Sequence, residues 1–175
     1  LDTALVSLNK NFRSFPGEKD RPELELGESV SPGRYSEQLA EYGIIKPQYW
    51  AAIREESFLG LTGIFFNPED MDEAVWGGYT FVNPEINSSL SIIKIILLSK
   101  LVSESNKTQK KYLRLYTETF EEEIQANKLY SRVLSTYKTV NIPGSNYIIL
   151  FREALMTDVL KIMSVYLDLT KNICC

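Results

Sequence analysis

The sequence predicts a mainly α fold: a bundle-like C-terminal half of about three long helices, joined to short helices and an extended, loop-rich N-terminal arm. Three observations predict it. In 145–170, Leu150, Phe151, Ala154, Leu155, Val159, Ile162, Met163, Tyr166 and Leu169 recur at helical steps. They leave only Glu153, Thr157, Lys161, Ser164 and Asp168 as a narrow polar stripe, so such a helix must be surrounded. In 107–138, Leu113, Tyr116, Phe120, Ile124, Tyr130, Leu134 and Tyr137 stand against Lys110, Lys111, Glu121, Glu122, Lys128 and Arg132, the pattern of a helix with one dry face. Finally, Asn83-Pro84-Glu85 supplies a capping acceptor, a first-position proline and an acid suited to the helix dipole, and opens an apolar helix over 84–103.

Taken in order, 1–8 has apolar residues at helical steps but no cap. From 9 to 34, Pro16, Gly17, Pro22, Gly27, Pro32 and Gly33 punctuate a charged stretch with little to bury, which reads as an arm. Ser36 caps a short helix that stops at Gly43, and Pro47 starts another that carries Tyr49, Trp50 and Ile53. The apolar run 58–66 is interrupted by Gly60 and Gly63, which suggests a close backbone approach or a bend. Asn67-Pro68-Glu69 then repeats the capping pattern and predicts a short helix over 68–75, ended by Gly77-Gly78. Asn141-Ile142-Pro143-Gly144-Ser145 separates the last two long helices. The organisation expected is one domain, 1–175, made of an arm (1–35), short helices with a Gly-rich segment (36–83) and the bundle (84–171).

Composition excludes more than it selects. With no histidine in 175 residues, Ser-His-Asp and Cys-His nucleophiles, histidine-ligated zinc and Glu-x-x-His di-iron helices are ruled out. Neither a G-x-x-x-x-G-K-[ST] loop nor a G-x-G-x-x-G turn is present. The apolar neighbourhood 90–102 includes Lys94 and Lys100 and is too short to span a bilayer. Residues 1–85 carry fifteen acids and seven bases, and 86–175 eight acids and twelve bases, giving −8 and +4 and together the net −4. An overall acid balance disfavours a general nucleic-acid binder, whereas the split suits association between halves or between copies.

Each chemical cluster also has a simpler reading. Asp70-Met71-Asp72-Glu73 lacks calcium-loop spacing and is explained by a helix start, so no metal is expected. Glu118 and Glu121-Glu122-Glu123 point around a helix and form a solvated face. The eighteen tyrosines and phenylalanines (ten and eight) fall mostly on core stripes, so no cofactor is expected. The terminal Cys174-Cys175 pair resembles the doubly prenylated tails of small vesicle-traffic GTPases, but the phosphate loop of those proteins is missing and lipidation is not expected.

The interaction candidates are Lys107, Lys110, Lys111 and Arg114, read as one basic helix face, together with Trp50, Trp76 and the arm residues Arg13, Arg21 and Arg34. The function expected is that of a non-enzymatic interaction or assembly protein whose arm reaches a protein partner or another copy. One alternative is a ligand-binding protein or enzyme using Glu55, Glu56, Asp72, Tyr79 or Tyr116 in a pocket between helices. The other is contact with anionic lipid or nucleic acid through the basic face.

Overall fold

A computed structural model describes residues 43–54, 57–78, 80–82, 90–118, 124–141 and 148–171. Its elements are β1 (Ile45–Arg54), β2 (Ser57–Phe66), β3 (Ala74–Gly77), β4 (Phe81–Val82), α1 (Leu90–Lys107), β5 (Tyr112–Glu118), α2 (Ile124–Tyr130), β6 (Ser135–Asn141), β7 (Ile148–Leu155) and α3 (Met156–Lys171). The centre of the molecule is therefore a seven-stranded sheet in the order β1-β2-β3-β5-β7-β6, with β4 pairing β2 off that path. All the described pairings are antiparallel except that of β3 with β5.

This architecture corrects the expected helical bundle. The helix expected over 107–138 is instead the end of α1, then β5, α2 and β6, because Leu113, Leu115 and Thr117 are buried in alternation with Arg114 and Tyr116. The helix expected over 145–170 is β7 running directly into α3, with the change at Leu155–Met156. That junction is tied to the neighbouring strand, since Met156 N–H donates to the Lys111 carbonyl at 2.9 Å. The short helix expected from Pro47 is the strand β1, and 68–73 is a turn leading into β3. Asn67 does accept from the Glu69 amide at 3.0 Å, but it closes a turn there and does not start a helix. A helix does occupy much of 84–103, yet it crosses the polar residues 103–107 and ends at Lys107. There Thr108 returns its hydroxyl to the Ser105 carbonyl at 2.6 Å, and Gln109 takes the left-handed conformation, φ 58°, that closes helix ends. The expected arm, 1–35, and Cys174-Cys175 lie outside the described residues.

Cross-strand partners share a face, so the register sorts the side chains. One face carries Trp50, Ile64, Phe66, Val75, Leu113 and Ala154, and meets α1 and α3 through Leu101, Val102, Met156 and Val159 to form the core. Val75 and Val159 are 0% and 1% exposed. The opposite face carries Phe65, Trp76, Arg114, Tyr116, Phe151 and Glu153. At the β1 end, Lys100 of α1 lies over the Trp50 ring at 5.3 Å and joins Glu104 at 2.7 Å, while Lys107 reaches the same carboxylate at 2.8 Å. Among the described residues no helix is long and apolar enough to cross a membrane.

The ladder is irregular where β3 gives way to β4. Gly77 pairs with Ile64 and Phe81 with Leu61, so between these pairings β2 has two residues and the β3–β4 chain three. This is a β-bulge, which bends a strand and leaves one residue outside the ladder. It is clamped onto β2 by the Gly78 N–H, which donates to the Gly63 carbonyl at 2.7 Å, and by the Thr62 and Thr80 hydroxyls, 2.9 Å apart. Gly63 can have no side chain here: a Cβ would meet the Tyr49 ring and stand 2.7 Å from the Gln48 carbonyl oxygen.

Burial tends to raise the Glu104 carboxyl, but the hydrogen bonds and charges of Lys100 and Lys107 outweigh it and hold the group below its ordinary 4.5. A carboxyl lowered on folding adds stability above its unfolded value and loses it as the pH falls through its folded value. Glu104→Gln is therefore predicted to lower stability by about 0.5 kcal/mol at pH 7, since both lysines are substantially exposed. The difference from wild type should begin to shrink near pH 4.5 and vanish only once the pH has fallen through the lowered folded value, in urea titrations.

Candidate functional site

Strands β3 and β5 run parallel, but they are paired over only three steps, Ala74–Tyr112, Val75–Leu113 and Trp76–Arg114. Beyond these the β3–β4 chain stays with β2, through Leu61–Phe81 and Gly60–Val82, whereas β5 stays with β7 as far as Glu118–Ile149. Each strand is held by its outer neighbour, and the sheet opens as a wedge between them. Among the described pairings, neither wall has a partner across the gap, so two rows of backbone N–H and C=O groups face it. The wedge lies at the C-terminal ends of adjacent parallel strands, where open α/β sheets take their ligands. Its β3 wall is nearly bare of side chains at Gly77 and Gly78.

On the face away from α1, the β2–β3 turn folds Asp70 over the base of the wedge. Both Asp70 oxygens lie 3.0 Å from the Trp76 indole N–H, and the carboxylate also pairs with Arg114. Glu153 takes the other side of that guanidinium, with Nε and Nη2 each 3.0 Å from Oε2. Burial works against the Arg114 charge, but Asp70 and Glu153 outweigh it and hold the group above its ordinary range. The three charges sum to −1. Around them Trp76 stacks on Phe65 at 5.9 Å, and Phe151 stands edge-on to Trp76 at 6.1 Å and to Tyr137 at 6.4 Å. Burial raises the Tyr137 hydroxyl and Arg114 only partly reverses it, so this phenol is protonated at neutral pH.

On the α1 face, at the outer end of β5, a second polar group has formed. Thr117 donates to the Asn127 carbonyl oxygen at 2.5 Å, which ties α2 to β5. Arg152 of β7 reaches Thr117, Thr136 and Asn127 at 3.3, 3.1 and 3.2 Å.

The expected interaction residues are scattered by this fold. Lys107 is bound to Glu104 at the end of α1, Lys110 lies over Phe66 in the following turn, Lys111 over Tyr112, and Arg114 is paired within β5. They make no single helix face. Trp50 and Trp76 lie on opposite faces of the sheet, and Trp76, 6% exposed, is held by Asp70. Arg13, Arg21, Arg34, Glu55, Glu56 and Tyr79 are outside the described residues, and Asp72 is exposed. Sequence reasoning missed Asp70 with Glu153, and Arg152 with Thr117, Asn127 and Thr136. The available signal was the two-residue alternation in 112–118; the apolar run 148–155 carries none.

No family model and no curated protein matches the sequence. Solved structures do match the fold. The aminoglycoside 6'-acetyltransferase type Ii is similar with a TM-score of 0.58 at 14% identity, over 88% of this chain and 90% of that one. The ribosomal-protein-alanine N-acetyltransferase from Brucella melitensis gives 0.58 at 15%, over 87% and 92%. The PaiA N-acetyltransferase from Thermoplasma acidophilum, in complex with coenzyme A, gives 0.54 at 14%, over 87% of each chain. A protein assigned to the GNAT acetyltransferase family, from Desulfovibrio desulfuricans, gives 0.58 at 14%, over 89% and 92%. At these identities the likeness is one of fold. It overturns the expected non-enzymatic assembly role, which rested on a helical bundle with a free arm: the chain instead has a sheet-centred fold shared with a set of enzymes.

Asp70→Ala should cost about 2–3 kcal/mol in urea unfolding, because it strips the indole N–H of its acceptor and leaves Arg114 with one carboxylate. Asp70→Asn, which keeps an acceptor for Trp76, should cost less.

Proposed function

We propose that the protein is an N-acetyltransferase that takes its acetyl group from acetyl-coenzyme A and passes it to an amine. The wedge between β3–β4 and β5 carries this reading. Its walls are strand edges, and edges of this kind bind an extended chain that supplies amides to both rows, as an added strand would. The pantetheine arm of coenzyme A is a narrow chain with two amides, which suits the edges of β4 and of the outer half of β5. The match in fold to a coenzyme A complex supports the choice. When bound, the donor supplies a thioester whose acetyl group passes to nitrogen as the carbon–sulfur bond breaks.

The protein's own part is orientation, proton transfer and attraction of the amine. With no histidine, a proton must move through a carboxylate, a phenol or water. Tyr130 follows Asn127 by three residues and shares its face of α2, the face that Asn127 turns toward the outer end of β5. Its hydroxyl is the proton donor to the leaving sulfur in this reading. On the other face of the sheet, the net −1 group of Asp70, Arg114 and Glu153, beside the rings of Tyr137 and Phe151, attracts an ammonium group. The overall charge of −4 acts in the same direction. The neighbours named above act on an aminoglycoside and on a ribosomal-protein alanine, both amine acceptors.

The test is incubation with acetyl-coenzyme A and a panel of polyamines, aminoglycosides and N-terminal peptides, read as the mass gain of one acetyl group. Mass detection is preferable to a thiol reagent, which Cys174 and Cys175 would also consume. Tyr130→Phe should lower kcat by about 100-fold with little change in KM. Absence of both coenzyme A binding and acetylation across the panel would overturn the proposal.

A further inference from the structure

Two arginines on neighbouring strands are treated in opposite ways. Arg114 is 17% exposed in its side chain and has two carboxylates. Arg152 is 5% exposed, and among the described residues no carboxylate faces it. Its hydrogen bonds to described residues go to neutral groups, Thr117 of β5, Thr136 of β6 and Asn127 of α2. Burial, with no opposing charge, pushes the guanidinium below its ordinary range. A buried charge without a counter-charge carries a desolvation cost that hydrogen bonds to neutral groups offset only in part.

The bonds form a closed ring. Arg152 Nε donates to the Thr117 hydroxyl, Thr117 donates to Asn127 Oδ1, and the same oxygen accepts from Arg152 Nη2. The ring fixes which way the Asn127 carboxamide points, because both its donors converge on one oxygen. It also has something to hold. Helix α2 has seven residues, whereas isolated helices below about 12–15 residues are marginal in water. Leu129 is 41% exposed and Lys128 is exposed, and among the described residues Asn127 ties this helix to β5 and β7 through Thr117 and Arg152. The outer half of β5 needs holding as well, since it has lost β3 on one side.

We infer that Arg152 is a positioning residue: its fork fixes α2 against the outer end of β5, and with α2 the hydroxyl of Tyr130, at the expense of overall stability. The link to Tyr130 rests on the proposed acetyl transfer; the hold on α2 does not. Lysine cannot replace it, because one ammonium cannot span acceptors on three elements.

The experiment compares wild type with Arg152→Met, Arg152→Lys and Asn127→Ala in the full chain. Arg152→Met should leave the urea midpoint equal or higher, while amide exchange in 124–134 speeds up by about tenfold and the core strands keep their protection. Arg152→Lys should loosen α2 as much as methionine does. Asn127→Ala, which removes an acceptor but keeps the charge, should have a lower midpoint than Arg152→Met. For acetyl transfer, kcat should fall about tenfold in Arg152→Met, with KM for the donor changed less. A midpoint well below wild type, with faster exchange across the whole sheet, would show that Arg152 only holds the fold and overturn the inference, as would unchanged exchange in α2. Loosened α2 with kcat untouched would overturn the link to Tyr130. If α2 loosens but wild type transfers no acetyl group, the hold stands and the proposed function falls.

Discussion

The structure depends on a parallel pairing that stops after three steps. Strands β3 and β5 meet at Ala74–Tyr112 and part after Trp76–Arg114, each retained by a different antiparallel neighbour. Backbone groups in a sheet interior are ordinarily paired, so an opening of this kind must be imposed from both sides. On one side the bulge, clamped by Gly78 on Gly63 and by Thr80 on Thr62, keeps the β3–β4 chain on β2. On the other, seven consecutive pairings with β7 and the Thr117–Asn127 bond keep β5 away.

The two faces of the sheet around this opening differ in how they handle charge. Below the wedge, Arg114 is matched by Asp70 and Glu153, and the group is packed among Trp76, Phe151 and Tyr137. That arrangement keeps a net charge of −1, and it anchors the β2–β3 turn to three strands. Above it, Arg152 is buried among hydroxyls and one amide. The first arginine ties together elements that would stay near one another anyway. The second holds a short helix at the edge of an opening, where geometry matters more than stability.

How much of the fold is legible in the sequence depends on which period dominates locally. Leu150, Phe151, Ala154, Leu155 and Val159 do recur at helical steps, but a strand and a helix abut at Leu155–Met156 with no loop between them, and their apolar faces fall into one helical phase. A short apolar run such as Ile148–Leu155 does not distinguish a buried strand from a helix. In 112–118 the helical reading rests on Leu113, Tyr116 and Phe120, whereas the alternation of Leu113, Leu115 and Thr117 against Arg114 and Tyr116 is the decisive pattern. The close backbone approach suggested by the broken run 58–66 is present at Gly63, though inside a regular strand. Asp70 reads as a helix-start acid because Asn67-Pro68 precedes it, and its partners Trp76 and Arg114 are brought to it only by the sheet register. The site residues are visible as residue types, but their grouping depends on parallel pairing of segments 38 residues apart, as in Ala74–Tyr112, which no local pattern encodes.

The measurement that tests the central claim most directly is amide hydrogen exchange on the full chain, with and without saturating coenzyme A. Slower exchange is predicted along both walls of the wedge, at Phe81 and Val82 and at Leu115, Tyr116 and Thr117, with little change in β1 and β6. Protection confined to other parts of the chain, or none at a concentration that saturates binding, would contradict it.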